Sequence, residues 1–175
     1  MQDILVVIDM QNDFIDGALG TTEAVFILPK VAEKIRTFQG RLFFTKDTHD
    51  EDYLSTQEGR LLPIPHCIKD TKGWMLHPKI EALCKGTIVE KPTFGSAELG
   101  RLLKEIADRE GIRSVTLVGL CTDICVISNA LLFKAFLPEI PIIVDASCCA
   151  GVTPESHYNA LKAMKCCQIQ IINET

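Results

Sequence analysis

The chain has 175 residues, 47% of them hydrophobic, which is enough for one domain to bury a core without disulfide staples. Its formal net charge is -5 and no basic run occurs, so it lacks the positive patch that nucleic-acid-binding proteins carry. Every apolar stretch is shorter than the roughly 18 residues that indicate a membrane span.

The N-terminus and the cysteines predict a cytoplasmic protein with free thiols. Residues 1–3 lead directly into the first predicted strand, without the basic segment of a signal peptide. Four of the eight cysteines form two adjacent pairs, Cys148-Cys149 and Cys166-Cys167, a spacing that disulfide frameworks seldom use. No Cys-x-x-Cys occurs, so we do not expect a zinc site built on these thiols.

Short apolar runs alternate with helical patterns along most of the chain. The runs that predict strands span residues 4–8, 41–45, 87–89, 114–118, 140–144 and 169–172. The periodic segments that predict helices span residues 29–38, 97–109, 123–136 and 154–164. Most of the strand runs are apolar throughout, so the sequence predicts a parallel sheet with helices on both faces, in a single domain over residues 1–175.

Residues 47–77 break this alternation. Proline, glycine and charged residues dominate the segment, and its periodicity is lost. A loop of that length inside a compact domain is usually functional, so we expect it to contribute to a site.

Polar side chains follow four of the predicted strands. In chain order these residues are Asp9, Asp47 with His49, Lys91 and Cys125. Ligands of parallel α/β sheets bind outside the carboxyl ends of the strands. We therefore expect these side chains to meet at one edge of the sheet, although any one of them alone could be an ordinary solvated strand end.

Cys125 ends a segment, residues 114–125, that predicts a strand as far as Gly119 and then the start of a helix. The thiol would lie in the first turn of that helix. A thiol in the first turn of a helix lies near unpaired N–H groups and the positive end of the helix dipole, which favour the thiolate and can hold an oxyanion. A buried core cysteine is the alternative interpretation.

Asp9, Lys91 and Cys125 together predict nucleophilic catalysis. A thiol must lose its proton before it attacks, and a departing amine must gain one; a carboxylate beside a buried ammonium can transfer that proton. The alternative, a papain-like Cys-His pair, would have to use His157, which we interpret as a surface or packing residue of the helix over 154–164.

A second group of residues predicts a metal site. Asp47 and His49, two residues apart at the end of a strand, point to the same side. Glu58 and His66 come from the loop that follows. Two imidazoles and two carboxylates suit Zn²⁺, Fe²⁺ or Mn²⁺, whereas the alternative is a set of solvated loop residues. His77 has no acidic neighbour in sequence and is left out of the set.

Three segments resemble the signature segments of the isochorismatase-like cysteine hydrolases. They are residues 8–14 (IDMQNDF), 91–96 (KPTFGS) and 119–126 (GLCTDICV). Residues 47–49 (DTH) and 65–67 (PHC) resemble the metal-binding segment of the nicotinamidase branch. The resemblance covers essentially the whole chain. It implies a three-layer α/β/α sandwich with a six-stranded, mainly parallel sheet, and hydrolysis of nicotinamide to nicotinate and ammonia for NAD salvage.

The resemblance also implies the catalytic roles. Cys125 would be the nucleophile, Asp9 the carboxylate that transfers the proton, and Lys91 its charged partner. The backbone N–H groups of Cys121 and Cys125 would form the oxyanion hole, and the non-prolyl cis peptide of the family would fall between Leu120 and Cys121.

The metal ligands implied by the resemblance are Asp47, His49, His66 and Glu58. They would hold one divalent ion, expected to be zinc with iron and manganese as alternatives, and the ion would position the pyridine ring. Many relatives have a further histidine where this chain has Tyr53, and Glu58 matches a variant that uses glutamate instead. We expect Tyr53 at the lip of the pocket or in a solvated turn.

The pocket that the resemblance implies would hold the ring between Phe14, Leu19 and Phe94, although each could equally be a core residue. The expected partner is a small-molecule substrate, with no nucleic acid and no membrane, and the sequence is compatible with a homo-oligomer.

Two other functions stay open: a related amidohydrolase with a carbamoyl, ureido or other aromatic amide substrate, and a non-catalytic metal- or redox-sensing protein. Isochorismate hydrolysis is disfavoured, because a reactive cysteine adds nothing to vinyl ether cleavage.

Overall fold

A computed structural model describes residues 1–174 of the chain. Its sheet has six strands in the order β3-β2-β1-β4-β5-β6, and every neighbouring pair is parallel. The strands are β1 (Gln2–Ile8), β2 (Arg41–Asp47), β3 (Thr87–Lys91), β4 (Ile112–Leu120), β5 (Ile142–Ala150) and β6 (Gln170–Ile172). The sheet predicted as mainly parallel is therefore parallel throughout.

Helices cover both faces of the sheet. They are α1 (Asn12–Ile15), α2 (Thr22–Thr37), α3 (Gln57–Leu61), α4 (Pro78–Glu81), α5 (Ala97–Glu110), α6 (Ile127–Phe136) and α7 (Pro154–Cys166). Buried residues of α5, α6 and α7 share one hydrophobic cluster with the sheet, and those of α1, α2 and α4 share a second cluster. The predicted three-layer α/β/α sandwich is confirmed. No helix in the described part of the chain is both long and apolar enough to cross a membrane.

Strand β1 shows why the apolar runs become central strands. Ile4, Val6 and Ile8 belong to one hydrophobic cluster, whereas Leu5 and Val7 belong to the other, and all five are fully buried. Successive side chains of a strand point to opposite faces, so a strand between two helical layers must be apolar at every position. Each such side chain contributes about 1.5 to 3 kcal/mol when it leaves water.

Helix α2 begins at Thr22, seven residues before the predicted start at residue 29. The Thr21 side chain caps the helix by accepting a hydrogen bond from the Ala24 N–H (3.0 Å). Pro29, which was expected to open the helix, lies inside it. The apolar face between Ile27 and Ile35 is buried against the sheet, and that burial offsets the N–H group that proline lacks.

The other boundaries differ mainly at the ends of strands. Strand β5 continues to Ala150 and buries Cys148 and Cys149, whereas the apolar run predicted an end at residue 144. The helix predicted to begin at residue 123 starts as a π-helical turn, Thr122–Val126, before α6. All eight cysteines are free, as predicted.

Residues 47–77, all of them described, form the predicted long connection beyond the end of β2. The segment contains a 3₁₀ turn, Tyr53–Ser55, and the short helix α3. Single backbone bridges join His49 to Ile68 and Gln11 to Leu76, and hold the connection against the sheet edge.

Candidate active site

The candidate site lies where the strand order reverses. Strands β1 and β4 are neighbours in space, and their connections lead to opposite sides of the sheet. Asp9 directly follows β1, and Cys125 lies in the turn after β4. Asp47 and Lys91 are the last residues of β2 and β3. The predicted meeting of these residues at one sheet edge is confirmed, at the topological switch point where α/β proteins bind ligands.

The backbone at this point is tightly constrained. Gly119 has φ 119°, and a Cβ there would lie 2.1 Å from the carbonyl oxygen of Ile8, so only glycine lets β1 and β4 approach. Asp9 has a positive φ of 46°, which few non-glycine residues adopt. The peptide bond between Leu120 and Cys121 is cis, as expected.

The Lys91 ammonium lies at the centre of the cysteine site. Its Nζ atom is 2.7 Å from Asp9 Oδ2, 3.2 Å from Asp47 Oδ1 and 3.5 Å from Cys125 Sγ, and it donates to the Thr93 carbonyl at 3.1 Å. Lys91 is 1% exposed. A buried ammonium requires such partners, because an unpaired charge in the interior is very costly.

Asp9 is fully buried and lies between Lys91 and the hydroxyl of Thr45. Thr45 Oγ1 donates to Asp9 Oδ1 at 2.6 Å. Among residues 1–174, Asp9 Oδ2 has no partner in regular hydrogen-bond geometry, and its close neighbour is the ion-paired ammonium of Lys91. Thr45 was not predicted, although its place in the strand before Asp47 could have pointed to it.

Burial and the neighbouring charges shift the pKa values of all three groups of the cysteine cluster. Burial raises the pKa of the Asp9 carboxyl, in spite of the opposing charge of Lys91. Burial also raises the pKa of Cys125 well above its ordinary value, and the charge of Asp9 raises it further. Burial lowers the pKa of Lys91, but Asp9, the Cys125 sulfur and Asp47 raise it more, so it lies above its ordinary value and the ammonium stays charged. Desolvation and the neighbouring carboxylate therefore outweigh the effect of the helix end on the pKa of Cys125, and a base must remove the thiol proton, as the sequence analysis expected.

The predicted metal ligands form a second cluster beside the first. One ligand atom from each of Asp47, His49, Glu58 and His66 lies within 4.8 Å of all the others. His49 Nε2 is 3.0 Å from Asp47 Oδ2, and His66 Nε2 is 3.7 Å from the same oxygen. Glu58 Oε1 lies 3.7 and 3.8 Å from the two imidazole nitrogens.

This cluster fits a metal ion by its donor types and by its spacing. Metal-to-ligand distances of about 2.0 to 2.2 Å place two ligand atoms of one ion up to about 4.4 Å apart, which covers the separations of 3.0 to 3.8 Å between the imidazole nitrogens and the carboxylate oxygens. The Nδ1 atom of His66 lies 2.9 Å from the Ile64 carbonyl, which orients Nε2 toward the cluster in the way that metal-bound histidines are oriented. Burial lowers the pKa of His49, but the hydrogen bond that its Nε2 makes to the Asp47 carboxylate and the charge of that carboxylate raise it more.

The sequence predicted Tyr53 at the lip of the pocket or in a solvated turn, but the structure buries it. It is 1% exposed, and its ring contacts both imidazoles, with centroids 4.8 Å from His49 and 5.0 Å from His66. Its hydroxyl donates to the Leu62 carbonyl at 2.9 Å. The turn at residues 51–52 directs the Tyr53 side chain into the protein, where its ring packs against the two imidazoles.

A cavity of about 540 Å³ lies in front of both clusters. Cys125 is on one wall, and the metal-type cluster is on another. The three predicted ring-binding residues, Phe14, Leu19 and Phe94, line it, as does Cys121. Burial raises the pKa of Cys121 to about 12. The wall also includes residues that the sequence did not indicate: Thr56, Gln57, Leu61, Leu62, Pro92, Thr93 and Ile124.

The two remaining histidines do not line this cavity. The Nδ1 atom of His157 lies 2.7 Å from Thr122 Oγ1. This contact joins α7 to the π-helical turn, which agrees with the interpretation of His157 as a packing residue. His77 caps α4 through Nδ1, which accepts the Lys79 N–H at 3.2 Å.

Gln11 has a supporting function that the sequence analysis missed. It is fully buried. Its Oε1 atom accepts a hydrogen bond from the Asp47 N–H at 2.7 Å, and its Nε2 atom donates to the Asp47 carbonyl at 2.8 Å. Because Asp47 contacts both clusters, Gln11 fixes the residue on which they meet.

Comparison with known proteins gives the class to which this fold and site belong. Residues 3–174 match the isochorismatase domain, so the chain belongs to the isochorismatase family.

Individual relatives are similar over nearly the whole chain. The nicotinamidase of Schizosaccharomyces pombe is 28% identical, over 97% of this chain and 92% of the relative. The crystal structure of the pyrazinamidase of Pyrococcus horikoshii in complex with zinc is 30% identical, with a TM-score of 0.79, over 99% of this chain and 100% of that one. N-carbamoylsarcosine amidase from Thermoplasma acidophilum is 27% identical, with a TM-score of 0.77, over 100% and 99% of the two chains.

Proposed function

We propose that this protein is a nicotinamidase, which hydrolyses nicotinamide to nicotinate and ammonia. The family and the nicotinamidases among its relatives make the chain a hydrolase that acts on an amide C–N bond. One observation carries the choice of substrate. A cysteine cluster suited to amide attack and a His/carboxylate cluster suited to a metal face the same cavity of about 540 Å³.

The metal cluster is proposed to hold one divalent ion, with Asp47, His49, Glu58 and His66 as ligands. Zinc fits this donor set and is present in the Pyrococcus horikoshii structure, and iron and manganese suit the same ligands. When bound, the ion would offer an open coordination position to the pyridine nitrogen. The apolar walls at Phe14, Leu19 and Phe94 would then pack against the ring.

The first half of the reaction is proposed to form a thioester. As Cys125 Sγ attacks the amide carbon, its proton passes to Asp9, whose buried carboxylate gains basicity from its raised pKa. The N–H groups of Cys121 and Cys125 hold the oxyanion. The C–N bond then breaks, Asp9 returns the proton to the departing nitrogen, and ammonia leaves.

The second half is proposed to release nicotinate. A water molecule that replaces ammonia gives a proton to Asp9 and adds to the thioester carbon. The C–S bond breaks, the proton returns from Asp9 to the Cys125 sulfur, and the acid that forms gives its remaining proton to water or ammonia to become nicotinate. Lys91 stays protonated throughout, and its charge stabilises whichever of Asp9 and Cys125 is negative, since it lies 2.7 and 3.5 Å from them. Nicotinate would then enter NAD salvage.

A second candidate is an amidohydrolase with a carbamoyl substrate, because N-carbamoylsarcosine amidase has the same fold. A carbamoyl amino acid has no ring nitrogen that would use a coordination position beside the cysteine. The four converging ligand atoms therefore favour nicotinamide.

Ammonia release from nicotinamide by the purified, zinc-loaded protein tests the proposal. We expect turnover that disappears in Cys125→Ala, whose metal content and thermal unfolding stay unchanged, and that falls strongly in His49→Ala. Cys149→Ala is the matched control, because Cys149 is equally buried but does not line the cavity. A metal-loaded wild type that releases no ammonia from nicotinamide but does so from a carbamoyl amino acid would replace nicotinamide with the second candidate.

A further inference from the structure

Asn129 is a fully buried polar residue outside every motif identified in the sequence. It lies on α6, one helical turn after Cys125. Its Nδ2 atom donates to the Cys125 carbonyl at 2.8 Å and to the Phe94 carbonyl at 3.0 Å. Its Oδ1 atom accepts the Ser96 N–H at 2.9 Å. One amide side chain therefore bonds backbone atoms of two separate segments.

Those segments form two walls of the cavity. One is the π-helical turn that contains Cys125, and the other is the loop between β3 and α5, residues 92–96. The loop also contains the Thr93 carbonyl that accepts from Lys91, and the Phe94 ring, which is 40% exposed at the cavity. A movement of this loop would change the distance between the aromatic wall and the nucleophile.

The packing of α6 gives no other reason for an amide at this position. The buried residues around it are apolar and belong to the hydrophobic core: Val126 at the end of the π-helical turn, and Ala130 and Phe133 on α6 itself. A buried amide is tolerated where it is hydrogen-bonded and costly where it is not. Asn129 makes three bonds, and two of them reach the loop.

We propose that Asn129 is a positioning residue that sets the Phe94 wall at the distance from Cys125 that an aromatic amide requires. It touches no reacting atom and acts through the two backbone segments that it joins. The identity of the natural aromatic substrate rests on the proposed function, but the positioning of an aromatic ring beside Cys125 can be measured without turnover.

Two variants separate the contacts of Asn129. In Asn129→Ser, the hydroxyl can still donate to the Cys125 carbonyl four residues earlier, as Ser128 does to Ile124 at 2.6 Å, but it cannot reach the loop. Asn129→Leu has a similar shape and removes all three bonds. Ala130→Gly is the matched control, because Ala130 is fully buried on the same helix but is not part of the cavity wall.

The measurement is a ratio of alkylation rates at Cys125. The aromatic reagent is 3-(bromoacetyl)pyridine and the small reagent is iodoacetamide, and peptide mass spectrometry assigns the modified residue. A Cys166→Ser/Cys167→Ser background is used for every variant, because these two thiols are exposed and would compete. We expect the aromatic-to-small ratio to fall at least about fivefold in Asn129→Ser and Asn129→Leu, as expected for a misplaced binding wall, and to stay within about twofold in Ala130→Gly.

Nicotinamide kinetics give the second readout. In Asn129→Ser, kcat/KM should fall at least about tenfold, with zinc content unchanged and thermal unfolding as cooperative as in Ala130→Gly. Unchanged alkylation ratios in a folded Asn129→Ser would overturn the proposal, as would an equal fall in Ala130→Gly. If Asn129→Leu does not fold, Asn129→Ser decides alone. A ratio that falls in a protein whose wild type is inert toward nicotinamide would support the positioning role and remove the proposed substrate.

Discussion

Asp47 and Lys91 are paired residues at the ends of neighbouring strands, and their side chains join the two clusters of the site. They are partners in the β2–β3 register, and Lys91 Nζ lies 3.2 Å from Asp47 Oδ1. The other oxygen, Asp47 Oδ2, lies 3.0 Å from His49 Nε2. One carboxylate therefore faces the cysteine cluster with one oxygen and the metal-type cluster with the other.

This arrangement predicts that Asp47→Asn has two effects, of which added metal can reverse only one. The variant should bind zinc more weakly, and it should also turn over nicotinamide at least about 100-fold more slowly at saturating zinc, because Lys91 loses one of its two carboxylate partners. Glu58→Gln is the control, since Glu58 contacts the imidazoles but is no ion-pair partner of Lys91 within the described residues. Its activity should recover as zinc is added. Equal recovery of both variants in a zinc titration would contradict the coupling.

Lys91→Met should be destabilised as well as inactive. Its removal leaves Asp9 and Asp47 buried without a counter-charge, and breaking a buried ion pair in this way costs about 3 to 5 kcal/mol. The double variant Asp9→Asn/Lys91→Met should regain part of the stability, because one unpaired carboxylate is gone, but none of the activity. Chemical denaturation of the three proteins tests this, and a double variant no more stable than Lys91→Met would show that the ion pair is not the cause.

Tyr53 should matter for metal affinity through its ring and not through its hydroxyl. Tyr53→Leu removes the ring that contacts both imidazoles, and loss of a group that supports metal ligands typically weakens binding about 10- to 100-fold. Tyr53→Phe keeps the ring and loses only the hydrogen bond to Leu62, so its zinc affinity should stay close to that of the wild type. Competition with a chelator measures both, and equal affinities of the two variants would exclude the supporting role.

Asp145 should make the stability of the fold depend on pH in acid. Burial raises the pKa of Asp145, but hydrogen bonds from Lys34, Asn173 and Ser147 lower it more, so it lies below its ordinary value in the folded protein. A carboxyl with a lowered pKa stabilises the fold above its unfolded pKa, and this contribution is lost as the pH falls through the folded value.

The test compares the free energy of unfolding of the wild type and Asp145→Asn. Above about pH 5 the wild type should be more stable by about 1 to 3 kcal/mol, and the difference should shrink toward pH 3. Curves that stay parallel over this range would show that Asp145 does not titrate on unfolding.

The architecture, and the residues that meet at the sheet edge, could be predicted from the sequence alone. Strands that are apolar at every position must be covered on both faces, so runs such as residues 4–8 fix a parallel sheet between two helical layers. In such a sheet the residues that follow the strands share one edge. The sequence therefore predicts that four residues lie close together: Asp9, Asp47, Lys91 and Cys125.

How those groups interact could not be predicted from the sequence, because it depends on contacts between distant segments. The raised pKa of Cys125 results from its burial and from the nearby Asp9, which no local pattern records. The inward position of Tyr53 and the bonds of Asn129 depend on segments distant in sequence that meet in space. Local sequence fixes which face of the sheet a side chain takes, whereas desolvation and long-range contacts depend on every neighbour at once, and those neighbours are set only when the chain folds.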